Sequence, residues 1–293
     1  MRSTADHLPR FFSLSNGRDR AIALQWQALR YEHTQAIRAV LAERYAPATA
    51  NKMLAALRGV LREGWRLGQM DAADYHRAID LVAVKGTTLP RGRGLAAGEL
   101  RALFVGCATD DCISGNRDAA LLAVLYGAGL RRSEVVALDV NDYDVETGAL
   151  RVRSGKGRKA RVAYATGGAK AALEAWLIAR ASAPRQKITV RPEGREPLFC
   201  PVNKGGKLAL RRMSDQAVMG IVRKRALSSG VKSFSPHDLR RSFISDLLDA
   251  GADIATVQHL AGHANVQTTA RYDRRGERTK RKAAEMLHVP YGK

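Results

Sequence analysis

Ten residues, Lys85-Gly86-Thr87-Thr88-Leu89-Pro90-Arg91-Gly92-Arg93-Gly94, lose all hydrophobic periodicity and gather glycine, proline and arginine. Such a stretch neither continues a helix nor holds a strand, so the chain is predicted to fold as two units joined by a linker at 85–94. Its 293 residues suffice for two modest domains, and a 45% hydrophobic content can give each a core.

Ahead of the linker, residues 1–20 hold Pro9, Asn16-Gly17 and several arginines and read as a leader or arm. Residues 21–84 form a helical domain, with Met53, Leu54, Leu57, Val60 and Leu61 on one expected apolar stripe and Lys52, Arg58, Arg62 and Arg66 off it. That basic face belongs to a chain with 49 Lys+Arg against 28 Asp+Glu, a net charge of +21. An excess of this size points to a polyanion, with nucleic acid ahead of an acidic membrane surface. Lys52 and Arg58 in the first domain, Arg91 and Arg93 in the linker, and Arg212 and Gln216 farther on are the expected DNA contacts. With no apolar run of membrane-spanning length and no apolar signal core, a cytoplasmic location is expected and a membrane partner is not. Cys107, Cys112 and Cys200 lack paired Cys-x-x-Cys spacing and read as reduced thiols.

After the linker, helices are predicted at about 95–108, 117–127, 131–138, 168–181, 214–227 and 253–261, with a short one around Tyr272 and an amphipathic segment at 276–287. Between them, Gly148 to Arg153 and Ala160 to Tyr164 alternate at period two around Ser154-Gly155-Lys156-Gly157-Arg158-Lys159, the pattern of a β-hairpin with a basic tip. The fold class is therefore mainly α with a small β-hairpin.

Each polar residue of the C-terminal part has an ordinary reading taken singly, as a helix cap, a surface charge or a packed side chain. As a set, Arg131, Lys156, His237, Arg240, His263 and Tyr272 offer two permanent cations, an amine, two imidazoles and a phenol, with neither a carboxylate pair nor a metal-ligand box. That chemistry suits a phosphodiester attacked by a side chain: Arg131 and Arg240 clamp the non-bridging oxygens, and no cofactor or metal is called for. A phenol ordinarily titrates near pH 10, so Tyr272 needs cationic neighbours and a base. His237 is the candidate base, His263 a donor to the phosphate, Lys156 the acid for the leaving 5′-oxygen, and Glu134 the group that steadies Arg131 from three residues away. His259 and His263, four apart, lack the His-Glu-x-x-His context of a metal site, and Gly262 interrupts their helix.

Gly129-Leu130-Arg131-Arg132-Ser133-Glu134, Gly155-Lys156-Gly157-Arg158-Lys159-Ala160-Arg161, His237-Asp238-Leu239-Arg240, Ala261-Gly262-His263, and Tyr272 nine residues on, occur in that order. On these boxes the chain resembles the Xer-like members of the tyrosine recombinase, or phage integrase, family over roughly 95–287. Ala261 stands where the family usually has leucine, and Arg132 where many members have an apolar residue. The resemblance implies a C-shaped clamp on double-stranded DNA, made of a core-binding domain (21–84) and a catalytic domain (95–293). It implies cleavage through a 3′-phosphotyrosine, strand exchange through a Holliday junction by a homotetramer on paired sites, and a C-terminal exchange segment at 276–293 that docks on a neighbouring protomer. The abbreviated front argues against a separate arm-site-binding domain. The rival readings are a non-catalytic DNA-binding regulator and a topoisomerase or resolvase that also uses a tyrosine.

Overall fold

Pro47 is preset for a first helical turn and Asp71 accepts from the backbone N–H groups of Ala73 and Asp74, so two of the first unit's helix starts are written in its residues. The computed structural model describes residues 25–86, 92–153, 160–185, 196–273 and 284–285. The leader at 1–20, Arg91, Lys156 on the hairpin tip and all but two residues of the exchange segment lie outside the described residues. The chain divides into Met1–Arg91 and Gly92–Lys293.

In the first unit, α1 (Tyr31–Arg44), α2 (Pro47–Arg66) and α3 (Ala72–Ile79) close on a core of Ile37, Leu41, Ala50, Leu54, Leu57, Leu61 and Tyr75. The stripe expected on α2 is displaced. Ala50, Leu54, Leu57 and Leu61 face inward at intervals of four, three and four, while Met53 and Val60 lie about 100° to one side and are 39% and 40% exposed. Beyond α3 the chain is strapped back by side chains. Asn51 exchanges two hydrogen bonds with the backbone of Val84, Arg38 donates to Val82 O, and Arg58 donates to the carbonyls of Ile79 and Leu81.

The second unit is built around α5 (Ile113–Gly127), whose Ala120 to Leu125 run is no more than 2% exposed. Against it pack α4 (Ala97–Ala108), α7 (Gly168–Ser182) and α9 (Pro236–Asp249), with α6 (Arg132–Ala137) and α8 (Asp215–Ser228) closing the sides. Ser214 caps α8 by accepting from the Ala217 N–H. Burying charge is costly unless it is paired. Here Arg225 donates to Asp118 at 2.8 Å and Asp110 at 2.6 Å, and Arg117 to Asp118 at 2.8 Å, so α8 is locked to α5. The hairpin is present as β1 (Ala149–Val152) antiparallel to β2 (Arg161–Tyr164), with Val152 opposite Arg161. Directly after β1, on the side of the tip, Arg153 bonds both Asp139 and Asp142.

The segment that carries Tyr272 rests on a satellite core. α10 (Ile254–Ala261) follows α9, ends at Gly262 in the left-handed conformation, and is followed by α11 (Val266–Ala270). Phe243, Ile244, Leu248, Val257 and Ala261 form the centre of this cluster, and Tyr272 packs against it. Tyr272 stands two residues past the end of α11, not within a helix, so its ring is carried on the turn that leaves the helix.

Candidate active site

Pro236 occupies the first turn of α9, and Asp238 reaches back to take the backbone N–H and the hydroxyl of Ser235 at 2.9 and 2.8 Å. This start presents His237 outward and turns Arg240 inward, where its side chain is among the largest fully buried ones. Arg240 donates to the carbonyls of Gly129 and Ala261. Gly129 has a positive φ of +63°, and a Cβ there would lie 2.3 Å from the Phe243 ring, so glycine lets this carbonyl approach.

The last turn of an α-helix leaves its carbonyls without intrahelical partners and carries partial negative charge. At the end of α10 three successive carbonyls receive three arginines. Leu260 O accepts from Arg161 at 3.2 Å, Ala261 O from Arg240, and Gly262 O from Arg131 at 2.8 Å. A guanidinium has five N–H donors, so these bonds and those to Glu134 still leave donors on each fork for another anion.

Glu134, 3% exposed, is the carboxylate that ties the cations together. It takes Arg161 through two parallel bonds of 2.8 Å, the Arg131 guanidinium at 2.7 Å and the Arg131 backbone N–H at 2.8 Å. Burial alone would raise its pKa, but the hydrogen bonds from Arg161 and Arg131 outweigh burial and hold it down at about 2. Burial and the charge of Arg131 bring the Arg240 guanidinium down to about 9, which still leaves it a cation at neutral pH.

Tyr272 sits beside this cluster. Its hydroxyl lies 3.4 Å from Nε2 of His237, its ring is parallel within 24° to the His263 ring at 6.3 Å, and the Arg241 guanidinium stands 5.4 Å from its ring centre. Ser245 donates to its carbonyl at 3.3 Å. Desolvation and the charges of Arg240 and Arg241 lower the pKa of His237. Burial, with Arg240 and Arg131 next, takes His263 down to about 4, so its ring is neutral at physiological pH. A cavity of about 370 Å³, lined among others by Arg131, Arg132, Asp215, His237 and Arg240, opens beside these groups.

The two histidines set an acid sensitivity. A folded-state pKa below the ordinary value of about 6.5 means that the unfolded chain takes up the proton first, so stability is complete above pH 6.5 and is lost as pH falls toward 4. The melting temperature should therefore drop between pH 6.5 and 5, above the usual carboxylate range, and His263→Asn should flatten that slope. An unchanged slope in the variant would contradict the assignment.

Arg131, Glu134, His237, Arg240, His263 and Tyr272 are thus gathered in one region, and Lys156 lies outside the described residues. Arg161 has no part in the expected set, although it lies in the quoted hairpin box. Its strand position puts it opposite Val152 and within reach of Glu134. Three expected DNA contacts have internal partners. Arg58 is bonded as above, Arg93 donates to Glu99 at 2.6 Å and Lys232 O at 2.6 Å, and Arg212 donates to Val136 O at 2.8 Å and to Asp139. Lys52 and Gln216 are exposed on α2 and α8.

The model of the phage integrase family matches residues 95–278. A tyrosine recombinase XerC of Pseudomonas aeruginosa (strain LESB58) is 32% identical over 247 residues, covering 84% of this chain and 75% of that protein. Among solved structures, the XerH site-specific recombinase bound to palindromic difH substrate in a post-cleavage complex superposes with a TM-score of 0.65 at 22% identity, covering 89% of this chain and 70% of the other. The Tn1549 transposon integrase in complex with a circular intermediate DNA gives 0.66 at 18% identity, over 97% and 98% of the two chains. At these identities the superpositions speak for the fold.

Proposed function

Because the chain belongs to the phage integrase family and is a tyrosine recombinase, an enzyme of site-specific DNA recombination, we propose that Tyr272 is its nucleophile and that Arg131, Lys156, His237, Arg240 and His263 complete the site. The observation that carries this reading is the Tyr272 hydroxyl 3.4 Å from His237, next to two arginines fastened to one helix end. The Tyr272 oxygen attacks the scissile phosphorus while its proton passes to His237. A P–O(Tyr) bond forms, the P–O5′ bond breaks, and the leaving 5′-oxygen takes a proton from Lys156. Arg131 and Arg240 bind the non-bridging oxygens, with His263 as a third donor. The 5′-hydroxyl of a partner strand then reverses the step, so the phosphodiester bond energy is conserved.

The first unit serves as the core-binding domain, with Lys52 and Arg91 toward the phosphate backbone, Gln216 on the second unit, and residues 85–94 as the linker. Four protomers act on two paired duplex sites through a Holliday junction, and residues 276–293 dock on a neighbouring protomer. The setting is the bacterial cytoplasm, at nucleoid DNA. Among the described residues no helix is long and apolar enough to cross a membrane.

The test is recombination in cells that carry the protein with its native flanking DNA, read by sequencing the junctions. Reciprocal junctions at one short sequence are expected, and in vitro they should form in chelator without nucleotide. DNA binding with neither junctions nor covalent adduct would favour the regulator reading, and relaxation of supercoils without exchange the topoisomerase reading.

A further inference from the structure

Thr269 is fully buried in α11, and its hydroxyl lies 2.9 Å from Nδ1 of His263. Its carbonyl accepts the backbone N–H of Tyr272 at 2.9 Å. One residue therefore touches the imidazole on one side and the nucleophile's backbone on the other. The backbone of His263 is held independently, its N–H donating to Gln258 O at 3.1 Å and its carbonyl accepting from the Gln258 amide at 3.0 Å. The ring itself is left to be oriented by what its nitrogens bond.

A neutral imidazole has one nitrogen that donates and one that accepts, and His263 is neutral at physiological pH. Two arrangements fit the 2.9 Å contact. If Nδ1–H donates to the threonine oxygen, the buried hydroxyl proton has no acceptor, since among the described residues the imidazole is the hydroxyl's one hydrogen-bond partner. If the hydroxyl donates to Nδ1, its proton is satisfied, and an unsatisfied buried donor is what folded proteins avoid.

We propose that Thr269 is a positioning residue for strand cleavage: its hydroxyl donates to Nδ1 of His263 and holds the imidazole in the tautomer that carries its proton on Nε2, the nitrogen then free to donate to the scissile phosphate. This rests on the reading of His263 as a phosphate donor. Without the hydroxyl the ring can place its proton on Nδ1, where it faces the protein interior and not the substrate.

The test uses the full chain labelled with 15N-histidine, with the His263 signals assigned by their loss in His263→Asn. The wild-type spectrum should show protonated Nε2 and accepting Nδ1. Thr269→Val, which keeps the shape and removes the hydroxyl, should lose that tautomer preference. It should slow covalent adduct formation on a nicked suicide substrate about 10-fold or more, part of the roughly 10²–10⁴ that a placed acid–base group contributes, with DNA affinity unchanged. Thr269→Ser should restore both the spectrum and the rate. A wild-type ring protonated on Nδ1 overturns the proposal. So does a Thr269→Val chain that cleaves at the wild-type rate, or a Thr269→Ser chain that does not recover. If Thr269→Val folds poorly, the wild-type spectrum and Thr269→Ser decide. The tautomer is read without DNA, so it fails or stands separately from the nucleophile assignment, which a covalent adduct on Tyr272→Phe would undo.

Discussion

Tyr272→Phe is expected to abolish covalent attachment to DNA, with strand cleavage lowered by at least about 10⁴-fold, because removing a nucleophile leaves no alternative route through the same intermediate. The substitution is conservative for the fold. The ring keeps its place against the cluster of Phe243, Ile244, Leu248, Val257 and Ala261, and the Ser245 bond to the Tyr272 carbonyl does not involve the side chain. What disappears is the hydroxyl 3.4 Å from His237. DNA affinity and melting temperature should therefore stay close to wild type while the adduct band on a suicide substrate vanishes. An adduct that persists would place the nucleophile elsewhere.

Arg240 carries the second large effect, and it divides into two parts. Arg240→Lys keeps a cation but loses the fork, and single-turnover cleavage should fall about 10²–10³-fold, the usual loss for a donor aimed at developing negative charge. Arg240→Ala should in addition destabilise the fold. The carbonyls of Gly129 and Ala261 both lose their donor in a buried place, at about 1–3 kcal/mol for each unsatisfied group. Cleavage rates and urea melts of the two variants separate the parts. An Arg240→Ala chain that is as stable and as active as wild type would remove the residue from both roles.

Most of the helices and the hairpin were legible because hydrophobic periodicity, at 3.6 or at two residues, and the break at Gly262 mark them locally. Met53 and Val60 were not separable from the core face of α2, since a stripe wide enough to include them also fits a 3.6-residue repeat, and only packing partners show which edge is covered. Residue types alone gave six side chains suited to a phosphodiester. They gave no sign of how three arginines could share one place. That depends on backbone carbonyls at 260–262, which carry no sequence signature, and on Glu134 bonding across 27 positions to Arg161. Thr269 was silent for the same reason, as its partner is a ring nitrogen brought over it by the turn after α10.

Glu134 also explains why a cluster this positive can persist without DNA. It is ionised deep into the acid range and stands between Arg131 and Arg161, while the helix end supplies partial charge to all three arginines. A bound phosphate would bring a further negative charge to the same place, which favours the positive form of His237, the expected proton acceptor, that the free protein disfavours.

The most direct measurement traps the protein on a nicked suicide substrate, digests the adduct and maps the linkage by mass spectrometry. The expected result is a nucleotide joined through its 3′-phosphate to the peptide that contains Tyr272, formed in the presence of chelator. Attachment through a 5′-phosphate, or to any other residue, would contradict the account.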